Sequence, residues 1–220
     1  MHKGKIVINR KNIQFVRWSA LALIAIGVIY VGLIVWGITT QDPETGFIRD
    51  PVRILMEIVT MVSAIVLLFF ALSIKNLLGP EHSLLAEISV VFMTLLVSLT
   101  SLVHFVSITV SSQIVEENPL LSSLLSLNWP SLLLSIDILA WDVFFGIAFI
   151  FLGLALRNME ELSISGILMI LSGILSLLGL IALPLNNMNL RFVGIFGYTV
   201  MPVISCAFLL SKIRKVESTP

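Results

Sequence analysis

Four ionisable side chains lie in stretches too apolar to suit them: Glu57, His104, Asp137 and Asp142. Carboxylates and an imidazole in such surroundings bind cations, relay protons or, joined to a metal or a nucleophile, hydrolyse bonds. Two neighbours extend the set. Arg53 stands four residues before Glu57, a spacing at which helical side chains meet. Ser101 stands three residues before His104. Glu57, His104, Asp137, Asp142, Ser101 and Arg53 are therefore the candidate ligand-binding residues. No catalytic or metal-ligating role is assigned, and no cofactor is expected. The sequence has no His-x-x-x-His pair, no Gly-x-Ser-x-Gly and a single cysteine, Cys206.

The elements that carry these residues are long apolar runs. The chain is 58% hydrophobic and 12% charged, where a soluble domain is about a quarter charged. Runs of about 20 apolar residues cross a hydrocarbon core of about 30 Å as helices. Six such runs are present, at 18–37, 52–74, 83–110, 131–156, 162–183 and 192–211. They predict an all-α polytopic membrane protein, six transmembrane helices in one bundle. Residues 1–17 precede it and 212–220 follow. Within these 220 residues no room is left for a separate soluble catalytic domain.

The first apolar stretch is too long for the core of a signal peptide, and "VWGITTQD" offers no small-x-small cleavage site, so it reads as a retained helix. The connection "SSQIVEENPLLSSLLSLNWP" is not simply polar. Asn118 can cap a helix that starts at Pro119, with Leu120, Leu121, Leu124 and Leu125 on one face. It reads as a short helix lying in the membrane interface, closed by Trp129 at headgroup level.

Lys and Arg concentrate on cytoplasmic loops. Ten of the thirteen basic residues fall on the side of both termini: Lys3, Lys5, Arg10, Lys11, Arg17, Lys75, Arg157, Lys212, Arg214 and Lys215. Arg49, Arg53 and Arg191 fall on the other. Both termini are expected in the cytoplasm, with loops one, three and five outside. The net charge of zero leaves no basic stripe for nucleic acid.

Span four tests how the acids must point. Its sixteen Leu, Ile, Phe and Val residues favour insertion by about 5 to 10 kcal/mol, and its two aspartates oppose it by about 5 to 7. The aspartates must therefore face the bundle interior and find partners there. Helix rise puts Asp137 and His104 about 9 Å below the outer boundary and Glu57 about 6 to 9 Å below it, with Asp142 near the midplane. Three consecutive helices thus carry Glu57, His104 and Asp137 at one level. Blander roles compete for each. Glu57 can pair with Arg53 alone, His104 can bond Thr100 or Asp137 to fix packing, Asp137 can snorkel outward, and Asp142 can be a structural acid bonded near Trp141 or Trp129.

Span three adds Thr94, Ser98, Ser101, Thr100 and Ser107, hydroxyls that can bond across helices. Small residues mark close helix contacts: Ser135, Gly146 and Gly153 on span four, Ser172, Ser176 and Gly179 on span five, and Gly194 and Gly197 on span six. Pro202 should kink span six.

The stretches "LVHFVSITV" and "WPSLLLSIDILAWDVFFGIAFIFLGLAL" resemble segments of a group of uncharacterised six-span prokaryotic integral membrane proteins. The likeness covers about a quarter of the chain. It implies a fold type, a prokaryotic cytoplasmic membrane and attention to His104, Asp137 and Asp142, and no mechanism.

The expectation is a protein that binds or transports a small ligand or lipid through an outward-facing polar pocket between spans two, three and four. The alternative is a structural or partner-binding membrane subunit. A weaker one is a hydrolase built on Ser101, His104 and Asp137, or on a metal held by Glu57, His104 and Asp137. Membrane lipids are expected partners, with a small molecule, a second copy or another membrane chain as further ones.

Overall fold

A computed structural model of the chain describes residues 10–43, 48–78, 83–111 and 119–217. Among them there is no strand, and six helices are long and apolar enough to cross a membrane. The architecture is an all-α polytopic bundle. Span one is the helix Arg10–Thr40, longer than the apolar run because two amphipathic turns precede it, with Ile13 and Val16 buried in the core. Span two is Val52–Leu77. Span three is Ser83–Val106, continued by a π-helical turn Ser107–Ser111. The short helix Pro119–Leu124 follows, at the place expected for the interfacial helix; its proposed cap, Asn118, lies outside the described residues.

Span four runs from Leu132 to Arg157 and is interrupted by a π-helical stretch, Leu139–Phe144. Ser131 caps its start, its side chain accepting from the Leu134 N–H at 3.1 Å. Span five is Ser163–Leu178 with a 3-10 turn Gly179–Ala182. Span six is Phe192–Glu217, entered through the 3-10 turn Met188–Arg191. It continues through Pro202, whose missing N–H frees the Tyr198 carbonyl.

Consecutive spans pack as antiparallel neighbours, and span one closes the ring against span six. The Asn12 side-chain amide donates to the Asn76 carbonyl at 2.5 Å, and the Ser19 and Ser73 hydroxyls meet at 3.0 Å. Lys75 pairs with Glu87 at 3.3 Å, which keeps Glu87 at the water boundary. Span four is central, with 61% of its most apolar stretch buried, whereas span one is peripheral at 11%. Phe145 and Phe149 of span four stack at 4.2 Å among Phe70, Met93 and Leu209.

Spans four and five meet along glycines. Gly146 faces Gly173 and Gly153 faces Gly166, a seven-residue spacing on both helices that returns nearly the same face every two turns. Spans five and six meet similarly, with Gly179 against Gly194 and the Ser172 hydroxyl donating to the Gly197 carbonyl at 2.6 Å. The small-residue stripes expected on spans four, five and six lie at these seams except for Ser135, which is exposed and donates to the Ser131 carbonyl of its own helix start at 2.6 Å. The expected hydroxyl links of span three do not all form. Thr94 and Ser98 bond back to the carbonyls of Val90 and Thr94 in their own helix, because a hydroxyl four residues on is already within reach of that carbonyl.

Candidate functional site

Glu57 comes from the second turn of span two, His104 from the last turns of span three, Asp137 from the second turn of span four, and Arg191 from the turn that opens span six. All four belong to the end of the bundle away from residues 10 and 217. His104 stands in the middle. Its Nδ1 bonds Glu57 Oε2 in a short contact, and its Nε2 faces Asp137 Oδ1 at 3.5 Å. Ser107 donates its hydroxyl to Glu57 Oε1 at 3.1 Å, so both oxygens of that carboxylate are engaged. Arg191 closes the chain of charges. Its Nη2 lies 3.6 Å from Asp137 Oδ2 and 3.2 Å from Asp142 Oδ2, and its Nε donates to the same Asp142 oxygen at 3.3 Å.

Asp142 is fully buried behind Arg191. Its Oδ1 has no hydrogen-bond partner and lies directly against the backbones of Gly179 and Gly194, where any Cβ would collide with it. The two glycines are what make space for a carboxylate at the contact of spans four, five and six. Ser176 ties the same place together, its hydroxyl donating to the Trp141 carbonyl at 2.7 Å.

Backbone shape explains why both aspartates reach one guanidinium. Five residues along an α-helix turn by about 140° from the starting face. Asp142 lies inside the π-helical stretch, whose i to i+5 bonding brings residues five apart toward one face. The second π-helical turn supplies Ser107. Both π-helical stretches of the described chain thus border this cluster, and such bulges occur most often at functional sites.

A cavity of about 730 Å³ reaches the cluster. Its walls are largely apolar, from Leu23, Ile26, Val31 and Ile34 of span one and Ile195 and Val203 of span six. At its polar end stand His104, Asp137 and Arg191, with Tyr30, Thr60, Trp141 and Tyr198 beside them. Trp141 and Tyr198 lie 5.3 Å apart, ring centre to ring centre. Val28, Val31 and Phe192 line the cavity and are yet 57–66% exposed. The cavity therefore opens sideways between spans one and six, on the apolar perimeter of the bundle.

Of the six candidate residues, four are brought together: Glu57, His104, Asp137 and Asp142. Arg53 is not among them. It turns outward to Asp50 at 3.1 Å, since a residue in the first turn finds its partner in the preceding loop while Glu57 points inward to His104. Ser101 does not border the cavity, and among the described residues no hydrogen bond joins it to His104; the hydroxyl at the cluster is Ser107. The pocket is also placed differently. Spans one, two and six wall it, and spans three and four contribute His104, Asp137 and Trp141 at its end. The Thr100 hydroxyl, considered for His104, has no partner, and Asp142 is bonded to Arg191 rather than to a tryptophan.

Arg191 is the residue the sequence did not reveal as a member. In "PLNNMNLR" it looks like a loop cation. The Asn187 side chain caps the turn by accepting from the Asn189 N–H at 3.2 Å, and the turn carries Arg191 inward until 8% of it is exposed. Two unpaired aspartates on span four were the available signal that a cation had to come from elsewhere.

Chemically, the cluster consists of ionisable groups in mutual contact, able to carry charge and exchange protons. Both imidazole nitrogens face carboxylates, Nδ1 toward Glu57 and Nε2 toward Asp137. Among the described residues no three His, Cys, Asp or Glu side chains converge where a metal ion could be held. Comparison with family models, with curated proteins and with solved structures finds no match to the chain. Fold and site together define an all-α multi-pass membrane protein with a buried acid, histidine and arginine cluster at the end of a lateral apolar cavity.

Proposed function

We propose that this chain binds and transports a small amphiphile or lipid, taken up sideways between spans one and six with its polar head against His104, Asp137 and Arg191. The observation that carries this reading is the cavity itself: about 730 Å³ lies within the range of small-molecule sites, which are mostly apolar with a few converging polar groups. The bias of basic residues toward the termini supports a cytoplasmic location for both ends. The polar end of the cavity is then in the outer half of the membrane. The likeness of spans three and four to six-span prokaryotic proteins supports a prokaryotic cytoplasmic membrane.

Native mass spectrometry of the detergent-purified chain tests the reading. A bound amphiphile of defined mass is expected. Thr60→Trp, which fills the cavity beside the cluster, is expected to cut its occupancy about tenfold, equivalent to 1.4 kcal/mol of binding. Retention of the same mass by Thr60→Trp would place the ligand elsewhere. A second polypeptide in place of a ligand would favour the structural-subunit alternative.

A further inference from the structure

The cluster at the polar end of the cavity holds more acid than base as a whole. Of its charged groups, His104, Asp137 and Arg191 line the cavity, while Glu57 and Asp142 stand behind them. Glu57, Asp137 and Asp142 oppose Arg191 and His104, so the cluster keeps one negative charge even with the imidazole protonated. The juncture of His104 and Asp137 is more specific still. His104 Nδ1 is directed at Glu57. On the other side of the ring, Nε2 and Asp137 Oδ1 face each other at 3.5 Å, both shut from solvent and neither hydrogen-bonded. With Nδ1–H donating to Glu57, a neutral imidazole turns a lone pair toward a carboxylate oxygen, and two acceptors repel. A proton at that juncture removes the repulsion. His104 and Asp137 both line the cavity, where Tyr30, Trp141 and Tyr198 present aromatic rings, surfaces that attract cations.

We propose that the cavity selects a cationic amphiphile, an amine or quaternary ammonium with an apolar body, and takes it up in exchange for the proton held between His104 and Asp137. The proposal rests on the binding reading above. The cationic head settles beside Asp137 and the aromatic rings, and its charge expels the proton from the imidazole to bulk water. One positive charge enters and one leaves, so the cluster keeps the same net charge. Every packed element bears on this juncture: Tyr30 from span one, Glu57 from span two, Ser107 from span three, Asp142 from span four, and Arg191 and Tyr198 from span six. Span five brings only Ser176, already bonded to the Trp141 carbonyl. Arg191 does not repel the head strongly, because its Nε and Nη2 are committed to Asp142 and its Nη2 also faces Asp137.

The experiment uses the full chain in detergent, titrated calorimetrically with tetraphenylphosphonium and with tetraphenylborate, two ions of like shape and opposite charge. Buffers of different ionisation enthalpy count the protons. The cation is expected to bind at least about tenfold more tightly than the anion, releasing about one proton and gaining about tenfold in affinity per pH unit while that proton is bound. Asp137→Asn should abolish the proton release and weaken the cation, and Asp137→Glu should restore both. Neutral N-phenyl-1-naphthylamine reports on the cavity alone, with Thr60→Trp as its control. If the neutral probe binds but the two ions bind equally, or no proton is released, the cation exchange is overturned and the cavity reading stands. If neither the neutral probe nor the ions bind, both are overturned.

Discussion

Arg191→Met is expected to destabilise the bundle by about 3–5 kcal/mol, the range found when one partner of a buried ion pair is removed. The loss comes from what remains. Asp142 is fully buried and keeps one oxygen with no partner at all. The other oxygen takes both of its hydrogen bonds from Arg191. Methionine fills most of the arginine stem but leaves that carboxylate without a counter-charge between the Gly179 and Gly194 backbones. Removing the acid as well should recover much of the loss, so Arg191→Met with Asp142→Asn should be more stable than Arg191→Met alone. Asp142→Asn by itself should cost less, because Arg191 retains Asp137 at 3.6 Å. Arg191→Lys should fall between, since an ammonium cannot reproduce two N–H bonds from one planar group. Denaturation of the purified variants by dodecyl sulfate in mixed micelles measures all four. Independent, additive losses for Arg191 and Asp142 would refute the pairing, because residues in contact couple by about 0.5–3 kcal/mol.

The same residues mark how far the sequence could be read. The six spans were legible because hydrophobic length is a one-dimensional property, and the paired depth of Glu57, His104 and Asp137 followed from helix rise alone. Their convergence is a matter of rotation about each helix axis. For Glu57 and His104 the cost of facing lipid fixed that rotation. Arg53 escaped this logic because its position at the helix start let it reach water and Asp50. Arg191 was hidden for the converse reason: a polar loop sequence folded into a 3-10 turn that carried it inward. The π-helical stretch Leu139–Phe144 has no counterpart in a pattern read at 3.6 residues per turn. The cavity was illegible for a related reason. It lies between spans one and six, the two ends of the sequence, and no local spacing announces a gap between helices so far apart in the chain.

Gly173→Ala is expected to weaken folding by about 1–3 kcal/mol, the usual cost of overpacking, and Gly173→Val should prevent recovery of folded protein. Without a hydrophobic force between helices in lipid, spans four and five depend on close backbone approach. A Cβ at Gly173 would collide with the Gly146 carbonyl oxygen, and one at Gly153 would lie 2.5 Å from the Gly166 carbonyl oxygen. These obstacles are backbone atoms on a paired helix, so no rotamer change relieves them, and the helices must separate along the whole seam. Span four would then drift from span five at the level of Asp142, which needs Gly179 beside it. Loss of packing should therefore be accompanied by loss of the Arg191 coupling, measurable as additivity of the Arg191 and Asp142 substitutions in a Gly173→Ala background. Gly32 is the control on the same physical grounds. A Cβ there meets nothing within 4 Å, and alanine favours a helix over glycine by about 0.8–1 kcal/mol, so Gly32→Ala should leave stability unchanged or raise it. Equal losses at Gly32 and Gly173 would mean that helix flexibility, not the distance between spans four and five, is what these glycines provide.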